Sequence, residues 1–382
     1  MPVVAEPAPP AVSPPRPTAP RRSRIPFIEG ARGFASLWVL LFHSLNTWKA
    51  EALYPALGVI QQFTSFGWLG VHIFFAISGW CIAERLAAAH RRGESCGAFL
   101  RERALRIFPT YWVALALLLL VRLIAMPFNH TSSEQNFPHG ASGWIGNILL
   151  INPYLGAPPT LMVSWSLVYE LGFYVLGAAA LILRRHGFGS AAIAAAGMLL
   201  CAAPFLPFHP RATLVLELWP DFFAGALVWW CARAPTNTRT AAGVGGLAVL
   251  LSCMIAWPGR AGGVAHFAAI ATAATLWWAS RQEQTIADGL LGRTFTWLGA
   301  ISYSLYLVHV TVMSPFQNLV QKFIPPQNVS FFAVWIASIA LGISAGWLLY
   351  RFVEAPTERW RKLRWAHSSK HSAAPPISPL LP

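Results

Sequence analysis

An arginine and a histidine lie eleven residues apart in an apolar stretch near the amino terminus, at Arg32 and His43. If this stretch is helical, eleven residues make three turns, which places both side chains on one face about 16 Å apart. A guanidinium can hold an anionic group, and an imidazole can act as a general base or carry a group covalently. The alternative is an arginine that reaches for the membrane surface and a structural, hydrogen-bonded histidine.

Two further arginines, Arg103 and Arg106, lie three residues apart in the stretch FLRERALRIFPTYW. Their spacing makes them neighbours on a helix, and two guanidiniums so placed can clamp a phosphate. We expect them to face the inner water layer just before an apolar span that Pro109 interrupts early. The alternative is that they mark only the orientation of the chain, because arginines gather at cytoplasmic helix ends.

An acidic residue, Glu170, lies inside the apolar stretch SWSLVYELGFY. A carboxylate in such surroundings has to be protonated or paired. It could orient an imidazole, bind a sugar hydroxyl or serve as a structural partner of an arginine.

A late apolar stretch, LGAISYSLYLVH, carries hydroxyls and an imidazole at helical spacing. Ser302, Tyr306 and His309 recur at intervals of four and three residues, so they share a helix face that could line a site. Hydrogen bonds that join helices are the alternative. Earlier in the chain, Ser78 precedes Gly79, and here close helix packing is the favoured interpretation.

The remaining acidic residues and cysteines give little sign of a metal site. Glu217 and Asp221 are one helical turn apart and would repel each other or share a cation, but two acids alone do not make a site. The five cysteines are scattered, without a C-x-x-C pair, so we expect no metal site and no permanently bound cofactor. Arg351 and Glu354 are expected to form a local ion pair. The other ionisable residues predicted inside apolar stretches are His72 and Glu84.

The composition explains what must position these residues. Of 382 residues, 55% are hydrophobic and only 11% are charged, against roughly 25% charged residues in a soluble domain. The net charge of +14 does not indicate nucleic-acid binding, because the basic residues lie between long apolar runs instead of clustering on a solvated domain. The sequence predicts an all-α, polytopic transmembrane helix bundle in a lipid bilayer.

About ten spans are predicted, with both termini in the cytoplasm of a bacterial cell and the chain in its inner membrane. With this orientation, 22 of the 28 lysines and arginines fall on the inner side and 5 on the outer side. A weaker apolar stretch at 143–156, cut by Pro153, is expected to be re-entrant or interfacial. The predicted spans are 28–48, 66–88, 108–127, 163–183, 188–207, 213–232, 241–257, 263–280, 298–322 and 329–352.

Three segments follow from this pattern. Residues 1–25 form a proline-rich tail that cannot pack a core and is predicted to be disordered in the cytoplasm. Residues 26–356 form the transmembrane domain, and residues 357–382 a basic, proline-rich cytoplasmic tail.

Taken together, the motifs resemble acyltransferase family 3, a group of integral membrane proteins that transfer acyl groups to glycans and other acceptors. The resemblance covers about residues 26–356 and rests on five motifs in the same order. They are the first-helix Arg and His, the segment GVHIFFAISGW, the Arg-x-x-Arg motif, the Trp-Ser-Leu segment with its acidic residue, and the late Ser-Tyr, Tyr and His segment.

This resemblance implies a reaction with one substrate on each side of the membrane. The donor is expected to be an acyl-CoA, most simply acetyl-CoA, whose phosphates meet Arg103, Arg106 and Arg32 while its thioester reaches towards His43. A glycan hydroxyl on the outer side is the expected acceptor, such as an exopolysaccharide, cellulose among them, or an O-antigen. The residues that the resemblance places around the acceptor or the carbonyl are Glu170, Ser302, Tyr303 and His309, with Ser78 and Tyr306 as further substrate contacts.

The sequence also departs from the family. Many members have an aspartate where this chain has His72, which puts in doubt an acidic role at that position. Many continue into an extracytoplasmic SGNH hydrolase-like domain that this sequence does not include, so the product could pass to separate polysaccharide synthesis or export proteins. A transporter or flippase for a lipid-linked glycan or small anion is the alternative function, and a non-catalytic membrane scaffold is a third.

Overall fold

A computed structural model describes residues 26–46, 58–129, 137–205, 211–233, 236–255, 260–281, 290–323 and 328–371, and every regular element in these ranges is helical. The predicted tail at 1–25 lies outside the described residues, as does 372–382. The helices are α1 (Pro26–Asn46), α2 (Gly58–Ser65), α3 (Gly70–Arg91), α4 (Cys96–Asn129), α5 (Gly140–Leu149), α6 (Trp165–Arg185), α7 (Ser190–Leu200), α8 (Trp219–Arg233), α9 (Asn237–Ile255), α10 (Arg260–Ala279), α11 (Leu290–Gln321), α12 (Asn328–Leu349) and α13 (Ala355–His371).

Six helical segments among the described residues are long and apolar enough to cross a membrane. Two shorter apolar helices, Ser190–Phe205 and Gly263–Ala279, accompany them. The all-helical membrane bundle is therefore confirmed, whereas the count of ten spans stays a prediction. The six segments are Gly58–Arg91, Cys96–Pro127, Met162–Arg185, Leu214–Arg233, Leu290–Gln321 and Phe332–Arg364.

The weak apolar stretch between the third and fourth predicted spans folds as α5 and a short 3-10 turn, Asn152–Leu155. With only ten residues, α5 is about half the length that a bilayer requires. This agrees with a re-entrant or interfacial element rather than a span.

Helix α4 corrects the predicted boundary at its start. It runs without a break through Pro109, so the helix begins twelve residues before the predicted span at 108. Proline removes one backbone hydrogen bond, which neighbouring helices in a membrane bundle can offset. Arg103 and Arg106 therefore lie on this helix, as their spacing predicted.

The predicted basic tail at 357–382 begins in helical conformation. A π-helical turn, Tyr350–Glu354, links α12 to α13, which continues in helical conformation to His371. Residues 357–371 are thus part of a helix that packs against α4.

Glycines set the closest helix crossings of the bundle. On α1, an added Cβ at Gly33 would lie only 2.9 Å from the backbone nitrogen of Gly299 on α11. On α3, an added Cβ at Gly79 would meet the backbone of Phe222 on α8, and one at Gly225 the backbone of Ala76. Only glycine allows the backbones to approach this closely, as in other membrane bundles.

Candidate functional site

A pair of histidines from α1 and α11 lies at the centre of the candidate site. Nδ1 of His43 is 3.1 Å from Nε2 of His309, and the ring centroids are 5.0 Å apart. His309 is 1% exposed and His43 is half-buried. The two histidines, 266 residues apart, were predicted separately as catalytic candidates, and the structure brings them into contact.

The hydrogen-bond partners of this pair indicate which nitrogen of each neutral ring carries the proton. Nδ1 of His309 is 3.0 Å from the carbonyl oxygen of Leu305, which can only accept, so this nitrogen carries the proton. Nε2 of neutral His309 is then an acceptor facing Nδ1 of His43. The latter also lies 2.9 Å from the carbonyl oxygen of Val39, so His43 carries its proton on Nδ1. Neutral His43 is therefore left with Nε2 as its basic and nucleophilic atom.

Arg32 bonds to α11, the helix that also carries His309, the partner of His43. Its Nη2 donates to Oγ of Ser302, at 3.0 Å, and Ser302 is fully buried. Arg32 pairs with residue 302 and His43 with residue 309, so α1 and α11 run parallel and the predicted shared face of α1 contacts α11. Ser302 thus positions the arginine.

Arg103 is buried against aromatic rings rather than exposed to the inner water layer. Its guanidinium carbon lies 5.9 Å from the ring centroids of Phe99 and Tyr174. The side chain is 12% exposed, and its Nε has no hydrogen-bond partner among the described residues. The expectation of a solvated arginine is wrong here, because aromatic rings of α4 and α6 enclose it.

Arg106 is paired with the carboxyl-terminal helix. Its Nη1 lies 3.1 Å from Oε1 of Glu358 on α13, and the same oxygen lies 2.9 Å from Nη2 of Arg361. Arg361 also binds Glu102 on α4, at 2.6 Å. This ion-pair network of α13, comprising Arg106, Glu358, Arg361 and Glu102, holds the helix against α4.

Glu170 is linked to Arg103 through Tyr174, and it does not contact the histidine pair among the described residues. Tyr174 donates to Oε1 of Glu170 at 2.5 Å, and the ring of Tyr174 contacts Arg103. Among the described residues, Glu170 bonds to neither imidazole, and Nδ1–H of His309 donates to the carbonyl oxygen of Leu305. The structure shows Glu170 paired with Tyr174 on one face of α6, and a catalytic role for Glu170 stays a prediction.

The hydroxyls predicted to bind substrate have protein partners. Tyr303 donates to the carbonyl oxygen of Ile107 on α4 at 2.8 Å. Tyr306 donates to that of Val163 at 2.9 Å and lies 2.8 Å from Oγ of Ser166. These bonds join helices, as the alternative interpretation expected. Ser78 is half-buried beside the Gly79 crossing.

Two predicted relations between acidic residues are corrected. Glu354 does not pair with Arg351 among the described residues; it is buried and accepts from Oγ of Ser304 at 2.6 Å. Glu217 and Asp221 do not share a cation, because Glu217 is exposed and accepts from Tyr169, whereas Asp221 is fully buried. A π-helical turn and a 3-10 segment shift the register that an α-helix would give.

Sequence reasoning missed four residues of this site. Glu102 and Glu358 were not predicted as partners of the arginines, nor were Tyr174 and Ser304 as partners of buried acids. The pattern RER, with Glu102 next to Arg103, was the only local sign of such a network.

A family model described as an acyltransferase domain matches residues 25–351, nearly the whole apolar chain. The chain is 27% identical to the acyltransferase MdmB of Streptomyces mycarofaciens, over 89% of this chain and 93% of that protein. It is 26% identical to nodulation protein 10 of Rhizobium leguminosarum bv. viciae, over 85% and 88%. It is 25% identical to the putative peptidoglycan O-acetyltransferase YrhL of Bacillus subtilis, over 87% of this chain and 54% of that protein. No solved structure matches the chain.

Proposed function

This chain belongs to acyltransferase family 3, and from that membership we propose that it is a membrane O-acyltransferase that moves an acetyl group from acetyl-CoA to a glycan hydroxyl. The donor binds from the cytoplasm and the acceptor from the opposite side. The His43–His309 contact carries the proposal, because it gives a half-buried imidazole with a defined basic atom, Nε2 of His43.

The arginines supply the donor side. Arg32 lies three turns below His43 on α1, roughly 16 Å along the helix axis. Arg103 and Arg106 lie on α4. This helix contacts α11 near Arg32, because the carbonyl oxygen of Ile107 accepts from Tyr303, and Tyr303 follows Ser302, the partner of Arg32. Three guanidiniums gathered near one end of the α1–α11 pair suit the phosphates of a coenzyme A, and the thioester extends towards the histidines.

Transfer then needs one base and one attacking oxygen. Nε2 of His43 takes the proton of the acceptor hydroxyl, and the oxygen attacks the thioester carbonyl carbon. As the C–O bond forms, the C–S bond breaks, and the thiolate of coenzyme A takes the proton back from His43. His309 accepts a hydrogen bond from Nδ1–H of His43 and so stabilises the imidazolium that forms. Attack by His43 Nε2 on the thioester, with an acyl-histidine intermediate, would use the same atom.

The relatives support a glycan as acceptor. Two of them are named for peptidoglycan O-acetylation and one for exopolysaccharide production. We propose a cell-surface polysaccharide, an exopolysaccharide such as cellulose or an O-antigen, with polysaccharide synthesis or export proteins as partners.

The topology required by this reaction is the one that the charges predict. We propose ten spans, both termini in the cytoplasm, and insertion in the bacterial inner membrane. The clustering of 22 basic residues on the predicted inner side supports this orientation.

The test is transfer of radiolabelled acetyl groups by the purified chain in nanodiscs, with and without a crude cell-envelope glycan fraction. We expect label on the glycan with wild-type protein and a loss of about 10²–10⁴-fold with His43→Ala, because general-base catalysis contributes about that much. His186→Ala, at an exposed position after α6, is the matched histidine control and should transfer at the wild-type rate.

Each outcome bears on the proposal. Equal transfer by wild type and His43→Ala would contradict the role of His43. Label trapped on the protein by acid quenching would favour the acyl-histidine route. Absence of donor binding and of transfer to any glycan fraction would overturn the proposal and favour a transporter or a scaffold.

A further inference from the structure

Three residues that the proposed reaction does not use meet between α3, α8 and α10. Nδ1 of His72 lies 2.5 Å from Oδ2 of Asp221, and Nδ1 of His266 lies 2.5 Å from Oδ1 of the same carboxylate. All three are buried, with exposed fractions of 6%, 0% and 2% for His72, Asp221 and His266.

The carboxylate of Asp221 has reason to be ionised. It lies in the first turn of α8, where the helix dipole favours a negative charge. Among the described residues its ion-pair partners are His72 and His266, with no arginine or lysine. A buried carboxylate in a membrane protein requires a compensating positive charge. Either one of the two imidazoles is protonated, or a cation binds between the three groups.

The geometry suits a cation. The carboxylate of Asp221 lies between the two rings, and one nitrogen of each imidazole and one carboxylate oxygen lie within 4.8 Å of one another. Two histidines and a carboxylate are a donor set that binds Zn²⁺ and other divalent transition metals. Metal–ligand bonds of about 2.0–2.2 Å place neighbouring ligand atoms roughly 3–3.5 Å apart. Small side-chain rotations that widen the present contacts would therefore admit an ion.

The surrounding helices hold these groups in place. The Gly79 and Gly225 crossing fixes α3 against α8, and α10 packs on both helices. The rings of Trp68 and Phe75 each pack edge-to-face with the ring of His72, with centroids 5.7 and 6.3 Å apart. Packed helices and aromatic rings thus limit the movement of the three ligands, and a water molecule would complete the coordination of an ion.

We propose that His72, Asp221 and His266 form a binding site for a divalent transition-metal ion, Zn²⁺ by its donor set, that ties α3, α8 and α10 together. This differs from the sequence expectation of no metal site. Sequence spacing could not reveal it, because each helix contributes a single ligand and the three lie 149 and 45 residues apart.

The test measures the metal content of the full-length chain, purified in detergent with an affinity tag that contains no histidine. After dialysis against Zn²⁺ and removal of free metal, elemental analysis should find one zinc ion per chain. Asp221→Asn and His266→Gln should lower this content at least tenfold. Two control variants should keep the wild-type zinc content. They are His186→Gln, at an exposed position, and His43→Ala, which breaks the His43–His309 contact.

Thermal unfolding gives a second measurement that does not depend on the variants. Chelation should lower the melting temperature of the wild-type chain, and added Zn²⁺ should restore it. Wild-type zinc content equal to that of Asp221→Asn would overturn the proposal and leave a protonated imidazole as the counter-charge. If neither variant folds, the wild-type chain alone decides. The proposal is overturned if that chain binds no zinc and its melting temperature does not change on chelation. Neither measurement depends on acyl transfer, so this proposal and the proposed function can fail separately.

Discussion

At the scale of single residues, the proposed base His43 lies beside a second imidazole, where many acyl-transfer sites have a carboxylate. Nε2 of His309 can accept the Nδ1 proton of His43, as an aspartate would, without placing a negative charge in the apolar bundle. A neutral acceptor stabilises an imidazolium less than a carboxylate does. We therefore expect His309 to contribute to the rate of acyl transfer, and to contribute less than His43.

We predict that His309→Leu lowers kcat about 10- to 100-fold while the KM for acetyl-CoA stays close to the wild-type value. The leucine removes one of the two acceptors of the His43 Nδ1 proton, whereas the Val39 carbonyl still accepts from it and holds the ring. His309→Gln, whose amide oxygen can accept, should recover part of the rate. An equal rise in KM for both variants, with kcat unchanged, would assign His309 to binding instead.

We predict that Arg32→Lys raises the KM for acetyl-CoA about tenfold. A lysine keeps the charge but loses the planar donor pair that binds a phosphate and is anchored at Ser302. Ser302→Ala should raise the KM in the same direction and by less, because the guanidinium is kept but no longer positioned. Initial rates over a range of acetyl-CoA concentrations measure both effects, and an unchanged KM in Arg32→Lys would separate Arg32 from the donor.

Much of the candidate site could be predicted from residue types and spacing, and the rest could not. The spacing of eleven positions from Arg32 to His43 predicts one shared face, and α11 covers that face in the structure. The partners of Arg106 and Glu170 were not predictable, because Glu358 comes from a distant helix and Tyr174 was indistinguishable from other apolar aromatic residues. Spacing within one helix defines a face, whereas contacts between helices depend on packing that one sequence does not reveal.

At the scale of helices, glycines decide how closely the elements pack. Gly79 and Gly225 allow α3 and α8 to touch backbone to backbone, and Gly33 and Gly299 do the same for α1 and α11. Because van der Waals packing is the main attraction between helices in lipid, these crossings contribute to stability directly.

We predict that Gly79→Ala destabilises the chain by about 1–3 kcal/mol, since the added methyl group would meet the backbone of Phe222 and force α3 and α8 apart. Gly97→Ala is the control, because a Cβ there meets nothing within 4 Å and alanine favours a helix by about 0.5–1 kcal/mol. Melting temperatures in detergent should fall for the first variant and stay level or rise for the second. A Gly79→Ala variant as stable as wild type would contradict the close crossing.

Helix α13 covers one of the proposed donor-binding arginines. Glu358 pairs with Arg106, so a phosphate that binds this guanidinium has to displace the carboxylate. We predict that Glu358→Gln lowers the KM for acetyl-CoA about 2- to 5-fold, in line with a partly exposed ion pair of about 0.5–1 kcal/mol. Glu84→Gln, which loses an exposed ion pair with Arg233, should leave the KM unchanged. A higher KM in Glu358→Gln would show that α13 assists donor binding.

At the scale of the whole molecule, composition indicates the class of protein, and the charge distribution predicts an orientation in the membrane. The all-helical membrane bundle follows from the scarcity of charged residues, because no polar surface remains to face water. The start of α4 could not be predicted in this way, because apolar patterning does not indicate that the helix begins before Pro109.

We predict opposite accessibilities for two exposed loop positions. Lys322→Cys, after α11, should react with a membrane-impermeant maleimide added outside intact spheroplasts, because the predicted topology places it outside. Arg92→Cys, between α3 and α4, should react only after the membrane is permeabilised. The wild-type chain, with its five native cysteines, supplies the background. The reverse pattern would invert the orientation and place the proposed donor site on the wrong side.

The separation of 266 positions between His43 and His309 also bears on how the protein is made. A ribosome adds about 5–20 residues per second, so α1 waits in the membrane on the order of tens of seconds before α11 is synthesised. During that interval His43 lacks its partner and Arg32 its serine anchor. A nascent chain therefore cannot form the proposed site until α11, with His309, has been synthesised and has packed against α1.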